Sequence, residues 1–203
     1  AGAACLKASL EAGEVTTVSK INTIADGTAV QTPGDKLFPY LQANVDHVIT
    51  VDDSELTLSF LDMAENHKMI VENSGLLTVA ALKHLDFKGK KVVSVLSGGN
   101  MDVLTMATVV QNGLMQRDRI FTVSVMLPDK PGQLAAVSSL IAKEQGNVIK
   151  LEHNVFANVN RTAGVELTIT LESFGTEHKD QIIKALEAAG YCPVITKTNG
   201  IYM

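Results

Sequence analysis

The segment of residues 90–102 constrains the fold of this chain most, because a short Val-rich run ends there in Ser-Gly-Gly-Asn. Such a run predicts a buried strand of a parallel sheet. Ser97 stands at its carboxyl end, where open α/β sheets bind ligands. Residues 101–112 have helical spacing, and Gly113 would end that helix. The glycines between strand and helix would let the backbone approach a ligand closely, although a tight turn without a ligand fits the spacing equally well.

Two earlier segments show the same pattern of a short apolar stretch followed by a helical one. Residues 48–51 and 68–72 are predicted as further buried strands, and their alternation with helices predicts a parallel sheet of the α/β class. Glu72 places a carboxylate at the end of the second of these strands, where it either caps the next helix or faces a ligand. Asp26 stands before a glycine, and in the simpler interpretation it only bonds its own backbone in a turn.

From residue 120 onwards the pattern is that of a small α+β domain. Four segments alternate as strands do, and two have the one-sided apolar spacing of helices. The order βαββαβ is ferredoxin-like, and the exposed edges of such a sheet predict pairing with a second copy. The predicted strands are residues 120–127, 147–156, 165–171 and 192–198, the helices are residues 133–144 and 176–189, and a hairpin loop covers residues 158–162.

Charge and composition exclude several classes of function. The 203 residues carry a net charge of −5, with 46% hydrophobic and 19% charged residues, which fits a globular protein without a basic surface for nucleic acid or membranes. The five histidines show no metal-binding spacing. Cys5 and Cys192 stand far apart in the sequence, so we expect reduced thiols in the cytoplasm, with a disulfide as the alternative.

Three motifs of the first half resemble those of one enzyme family. They are Thr-Ile-Ala-Asp-Gly-Thr-Ala-Val at residues 23–30, Ile-Val-Glu-Asn-Ser-Gly at residues 70–75 and Leu-Ser-Gly-Gly-Asn-Met-Asp at residues 96–102. In this order they resemble the motifs of pyridoxal-phosphate-dependent threonine ammonia-lyases, or threonine dehydratases, which are relatives of serine racemase. The resemblance implies that residues 1–116 are the carboxyl-terminal part of a fold-type II catalytic domain, similar to the tryptophan synthase β chain and truncated at its amino end.

The second half resembles a different, smaller module. With Leu-Pro-Asp-Lys-Pro-Gly-Gln-Leu on its first turn, at residues 127–134, the ferredoxin-like pattern is similar to an ACT domain. ACT domains are amino-acid-sensing modules attached to many enzymes of amino-acid metabolism. The resemblance implies an ACT regulatory domain over residues 119–203, and with it a homo-oligomer formed through pairing of ACT domains.

The first resemblance also implies the cofactor site. Ser97 would offer a neutral hydroxyl to the pyridine nitrogen of pyridoxal 5′-phosphate, beside Gly98 and with Glu72 next to the ring. Asp26 would lie at the substrate edge. The lysine that forms the Schiff base and the glycine-rich phosphate loop would lie upstream of Ala1. We therefore expect no catalytic residue in this chain and no activity of the chain alone.

The implied reaction is a β-elimination that converts L-threonine to 2-oxobutanoate and ammonia, or serine to pyruvate. A hydroxyl opposite the ring nitrogen suits it, because a neutral partner does not hold that nitrogen protonated as an aspartate would. Relatives such as serine racemase bind a divalent ion with acidic groups near residues 3–5, where this chain has none, so no metal is expected. Two alternatives remain: a related enzyme such as serine racemase or threonine synthase, and a non-catalytic module that binds amino acids and assembles.

The ACT resemblance further implies an effector site, at which an amino acid lies between two paired domains. Isoleucine or valine would suit feedback on branched-chain synthesis, whereas a catabolic enzyme would respond to another ligand. In the alternative, the loop only shapes its turn and the domain serves assembly. The residues expected to contact an effector are Asp129, Lys130, Gly132, Gln133, Leu134 and, at the start of the second strand, Asn147.

Overall fold

The structure is a computed structural model that describes residues 1–154 and 164–198. The chain divides into two compact units, Ala1–Gly113 and Leu114–Met203. In the described residues no helix is both long and apolar enough to cross a membrane. The predicted hairpin loop at residues 158–162 and the last two residues of the predicted strand 147–156 lie outside the described residues.

The first unit is built from helices and short helical turns. Asp52 and Glu55 start its central helix with a capping box, in which the Glu55 carboxylate accepts the Asp52 N–H at 2.8 Å. The helices are α1 (Cys5–Ala12), α2 (Phe38–Asn44), α3 (Asp53–Asp62), α4 (Leu77–Ala80) and α5 (Val103–Gln116), the last of which ends three residues after Gly113. Shorter turns of 3-10 helix cover Asp26–Thr28, Asn73–Leu76 and Ala81–His84, and a π-helical turn covers Met63–His67.

One apolar cluster forms the core of this unit. Leu56 and Phe60 of α3 pack with Leu76 and Ala80, and all four are almost fully buried. Burying a Leu or Phe side chain stabilises a fold by about 1.5–3 kcal/mol. This cluster therefore fixes α3 against the segment that carries Glu72.

The three segments predicted as parallel strands in this unit do not form ladders in the described structure. Residues 48–51, 68–72 and 90–97 have no strand neighbours, and Val93 and Val95 are 88% and 66% exposed. An apolar run becomes a strand of a sheet only where a neighbour supplies N–H and C=O groups at matching register. Such neighbours are missing here, so the Val-rich run stays unpaired with its side chains largely uncovered.

Two predicted helices of this unit also differ from the helices that the structure shows. The helix expected after Ser74 is split into a 3-10 turn, the single α-turn α4 and another 3-10 turn. Helix α5 starts at Val103 and passes through Gly113, which was expected to end it. Gly113 therefore lies inside the helix, where a Cβ atom would be in ordinary contact, at 3.4 Å, with a Leu61 methyl carbon of α3.

The second unit has the predicted βαββαβ order. Its antiparallel sheet has the strand order β2-β3-β1-β4. The strands are β1 (Ile120–Leu127), β2 (Asn147–Asn154), β3 (Val165–Glu172) and β4 (Val194–Thr196), and the helices are α6 (Gln133–Lys143) and α7 (Thr176–Ala188). The predicted strand at residues 192–198 is thus only three residues long, and it lies at an edge of the sheet.

Side-chain alternation explains the sheet. In β3, Leu167 and Ile169 are fully buried against the helices, whereas the residues between them lie on the other face. That other face is polar, and the hydroxyls of Thr122 and Thr170 are hydrogen bonded across the strands at 3.0 Å. The central strands β1 and β3 pair over eight residues each.

Candidate functional site

Two of the sequence motifs meet directly in the first unit. The Glu72 N–H donates to the Gly98 carbonyl at 3.5 Å, and the Glu72 carboxylate accepts the Asn100 N–H at 3.2 Å. The Glu72 side chain therefore bonds the Ser-Gly-Gly-Asn turn and does not cap the helical turn that follows it. Sequence spacing alone left both interpretations open.

Glycine is required where these two turns touch. Gly98 has φ = +77°, and a Cβ atom there would overlap the carboxyl group of Glu72. A Cβ atom at Gly75 would likewise overlap the Ser97 carbonyl oxygen. The turn at residues 97–100 and the turn at residues 72–75 are therefore packed so closely that only glycine, which has no side-chain carbon, fits at positions 98 and 75.

The third motif, residues 23–30, lies beside the other two, and Asp53 at the start of α3 holds its turn in place. The Asp53 carboxylate accepts the Thr23 hydroxyl at 2.7 Å and the Ile24 N–H at 3.0 Å. A Cβ atom at Gly27 would lie 2.8 Å from the Ser74 hydroxyl and 3.4 Å from the Glu72 carboxylate, so this turn also lies against residues 72–75. The structure therefore brings the three motifs together.

Asp26 takes part in this turn in the way its position before a glycine predicted. Its side chain is exposed and accepts the Gly27 N–H at 3.0 Å. The suggested role of Asp26 at the substrate edge stays a prediction.

Two buried polar atoms at the meeting point have no hydrogen-bond partner among the described residues. Asn73 donates its side-chain amide to the Ile24 carbonyl at 3.0 Å, but its Oδ1 atom is buried and unpaired, and so is the Ser74 hydroxyl. Leaving such a group unsatisfied costs about 1–3 kcal/mol. These two atoms are therefore available to bond a group that enters between the turns.

The Ser-Gly-Gly-Asn turn leads into helix α5 through a strong cap. Asp102 accepts the N–H groups of Leu104 at 2.9 Å and Thr105 at 3.1 Å. Hydrogen bonds from the side chain and backbone of Thr105, together with the Leu104 N–H, lower the pKa of Asp102. Ser97 is exposed beside this turn, and its role toward a ring nitrogen stays a prediction.

The predicted effector loop lines a cavity in the second unit. This cavity, of about 300 Å³, lies between the β1–α6 turn and the ends of two strands. All five predicted loop residues line it, together with His153 of β2 and Val165 of β3. The full lining is Leu127, Pro128, Asp129, Lys130, Pro131, Gly132, Gln133, Leu134, His153 and Val165.

Asn147 does not reach this cavity within one copy of the chain. It begins β2, and its amide donates to the Glu172 carboxylate at 3.0 Å. His153, which does line the cavity, is six residues further along, which is about 20 Å in a strand.

Sequence analysis missed Asn100, Asn73 and His153 as site residues. Asn100 contributes a backbone N–H, which no side-chain pattern indicates. His153 could have been found from the strand register, because residues near the end of β2 lie beside the turn that follows β1. The described residues contain no group of three His, Cys, Asp or Glu side chains placed to bind a metal ion.

Two known families match separate parts of the chain. The family described as pyridoxal-phosphate dependent enzyme matches residues 1–98, and the ACT domain family matches residues 121–190. The three motifs of the candidate site lie within the first match or at its end.

Individual relatives extend over both parts. An L-threonine ammonia-lyase of Geobacter sulfurreducens is 36% identical over 93% of this chain and 48% of its own length. Another L-threonine ammonia-lyase, of Thermotoga maritima, is 34% identical over 91% of this chain and 46% of its own length. The structure of the processed form of threonine deaminase isoform 2 from Solanum lycopersicum is 26% identical, with a TM-score of 0.50 over 55% of this chain and 34% of that chain.

These matches confirm the predicted resemblance and the predicted fold class. The chain spans about half the length of the curated relatives it matches. It combines a segment of the pyridoxal-phosphate dependent enzyme family, over residues 1–98, with an ACT domain over residues 121–190.

Proposed function

We propose that the chain is the cofactor-facing portion and the regulatory domain of a threonine ammonia-lyase. The observation that carries this proposal is the meeting of three separate motifs at one place, around the Glu72 carboxylate. The two named relatives, which match more than nine-tenths of the chain, support threonine as the substrate. Free thiols at Cys5 and Cys192 support a reducing compartment such as the cytoplasm.

The residues at this place fit pyridoxal 5′-phosphate. The glycines let the three motifs pack closely around Glu72, and the unpaired Ser74 hydroxyl and Asn73 Oδ1 offer polar partners to a ligand. When bound, the cofactor supplies the electron sink for loss of the α-proton and the β-hydroxyl of an amino acid. Glu72, held by the Asn100 N–H, would lie beside the ring and fix how far the Ser-Gly-Gly-Asn turn approaches it.

Ser97 would face the pyridine nitrogen from the start of that turn. A serine hydroxyl forms one neutral hydrogen bond to the nitrogen and does not keep it protonated, because a hydroxyl carries no charge near pH 7. An aspartate in its place would hold a proton on the nitrogen and strengthen electron withdrawal. The neutral partner suits elimination of a β-hydroxyl.

A chimera tests this function. The matched portion of the Geobacter sulfurreducens L-threonine ammonia-lyase is replaced by this chain, so that the relative supplies the preceding segment. We expect the chimera to bind pyridoxal phosphate and to release 2-oxobutanoate from L-threonine. The chain alone, incubated with the cofactor and threonine, is expected to release none.

The Ser97→Ala and Ser97→Asp variants of the chimera test the role of the Ser97 hydroxyl specifically. Alanine removes the neutral hydrogen bond, and an aspartate carboxylate would hold a proton on the ring nitrogen, so both are expected to lower threonine turnover without loss of folded protein. A folded chimera that binds the cofactor but only racemises serine would favour the serine racemase alternative. A folded chimera that binds no pyridoxal phosphate would overturn the proposal.

For the second unit we propose pairing of two chains through β2. This strand lies at an edge of the sheet, and Val148 and Leu151, on its helix-facing side, remain 37% and 36% exposed. Lys150 and Glu152 lie on the opposite face and form an exposed ion pair at 2.7 Å. An unpaired edge with exposed apolar residues is a template for another strand.

The charges select one register for this pairing. In an antiparallel pair with its two-fold axis at Leu151, Lys150 of each copy lies opposite Glu152 of the other, which is favourable across strands. The start of one β2 then lies beside the end of the other. Asn147 would thereby approach the loop cavity of the second copy, where His153 lies, and complete an amino-acid site from two chains.

Charge reversal tests this register. Glu152→Lys places like charges opposite each other and is expected to weaken dimerisation measured by analytical ultracentrifugation. Lys150→Glu combined with Glu152→Lys restores opposite charges and is expected to restore the dimer. If the double variant stays as dissociated as the single one, this register is wrong, and titration calorimetry with isoleucine and valine then shows whether a single copy binds.

A further inference from the structure

His178 links three elements at one corner of the second unit. The residue is 9% exposed and lies in the first turn of α7. Its Nδ1 atom is 3.0 Å from the Phe174 backbone nitrogen, and its Nε2 atom is 2.5 Å from the Glu144 carbonyl oxygen. Its ring also stacks on Phe174, with the centroids 4.7 Å apart and the planes at 19°. The imidazole therefore joins α7, the loop after β3 and the end of α6.

The two partners fix where the ring carries its proton. A backbone N–H can only donate, so Nδ1 must accept from Phe174 and cannot carry a hydrogen atom. A carbonyl oxygen can only accept, so Nε2 must carry one and donate to Glu144. This arrangement needs the neutral Nε2–H tautomer, because both ring nitrogens are donors in the protonated form.

Protonation would break one side of this arrangement. A second ring N–H would point at the Phe174 N–H, and a buried donor would be left without an acceptor. The charged groups beside the ring are Lys143 at the end of α6, Glu144 directly after it and Glu177 of α7, which line the neighbouring cavity. They act on the ring through space only, since both nitrogens are already bonded to main-chain groups.

The same corner holds the segment that follows α5. The Ser173 N–H donates to the Arg119 carbonyl at 2.8 Å, and the Ser173 hydroxyl donates to the Asp118 carbonyl. The Asp118 carboxylate accepts the Thr176 hydroxyl and pairs with Lys179, both at 2.8 Å. Residues 173–179 are therefore fixed on one side by His178 and on the other by this segment.

We propose that His178 is a pH-sensitive latch of the regulatory unit. The neutral imidazole closes the corner of residues 173–179, and its protonation releases the loop after β3 from the end of α6. The release loosens the contacts that hold residues 118–119, which follow α5 after Arg117. The device depends only on residues of this unit and does not require the proposed enzyme activity.

Hydrogen exchange of the full chain, measured by mass spectrometry and corrected for intrinsic rates, tests the latch. As the pH is lowered stepwise from neutral, for as long as circular dichroism shows a folded protein, we expect protection of the Phe174 amide to fall at least about fivefold, the effect of one ordinary hydrogen bond. Peptides from β1 and β3 should keep their protection. The amide of Ser173 should lose protection together with that of Phe174.

The variant His178→Gln is the matched test. Its side chain offers an acceptor and a donor but no titratable group, so the pH dependence at Phe174 should disappear while circular dichroism keeps the native helix signal. His84→Gln, at an exposed His–Glu pair of the first unit, is the control and should keep the wild-type pH dependence at Phe174. Wild-type protection that does not change with pH, or a pH dependence that persists in His178→Gln, would overturn the proposal.

Discussion

Gly98→Ala is the substitution that most directly tests the contact between the Ser-Gly-Gly-Asn turn and Glu72. The added methyl group cannot fit beside the Glu72 carboxyl group, so that side chain must leave its place. The Asn100 N–H then loses its carboxylate acceptor. The substitution also forces an alanine to keep φ = +77°.

The two costs can be estimated separately. A non-glycine residue in the left-handed region costs about 1–2 kcal/mol. Loss of the hydrogen bond between the Asn100 N–H and Glu72 adds about 1 kcal/mol, the value for an ordinary hydrogen bond, because exposure of Asn100 to solvent removes the extra strength of a charged acceptor. We therefore expect the free energy of unfolding of the first unit to fall by about 2–3 kcal/mol, or its melting temperature by roughly 10 °C.

Gly99→Ala is the matched control for this experiment. Gly99 is the next residue, a Cβ atom there meets nothing within 4 Å, and its φ is not in the left-handed region. Differential scanning calorimetry of both variants gives the comparison. Melting temperatures of Gly98→Ala and Gly99→Ala that agree within about 2 °C, well below the expected shift, would refute the derived packing of Glu72 on Gly98.

Three further predictions concern the second unit. Leu167→Ala, at a fully buried position, is expected to destabilise it by about 2–5 kcal/mol in chemical unfolding. Gly146→Ala places a Cβ atom 2.9 Å from an Ile141 methyl carbon and should cost about 1–3 kcal/mol by overpacking. Burial raises the pKa of Asp118, but hydrogen bonds from Lys179 and Thr176 outweigh it and lower the pKa. This stabilisation is therefore present above about pH 4 and lost as the pH falls further, and Asp118→Asn should reduce the acid sensitivity of unfolding in that range.

The sequence predicted the second unit better than the first, for a physical reason. The alternation in Val165–Glu172 reports a face that packs against helices of the same unit, and its strand partners lie within the same unit. The Val-rich run at residues 90–97 shows an equally clear pattern, yet its strand neighbours are missing from the described residues. The hydrophobic pattern of a segment predicts only that the segment is suited to a strand. A hydrogen-bonded ladder also requires a neighbouring strand.

The candidate site follows the same logic. Glu72 and Gly98 could be predicted together, because both follow apolar runs whose ends were expected at one edge of a sheet. That Glu72 bonds the backbone of Asn100 instead of capping its own helical turn depends on the fold of two distant segments. Asn147 is separated from the effector loop because it lies at the opposite end of β2 from His153. The sequence indicated the length of this strand. Which end of the strand lies beside the loop follows only from the strand register.

The most direct test of the proposed function is the position of the Ser97 hydroxyl relative to bound pyridoxal phosphate. A crystal structure of the chimera with its cofactor would measure the distance from Ser97 Oγ to the pyridine nitrogen. We expect a hydrogen bond of about 2.7–3.0 Å, with the Glu72 carboxylate beside the ring. A ring nitrogen bonded to another group, with Ser97 turned to solvent, would contradict the assignment of this turn as the cofactor site.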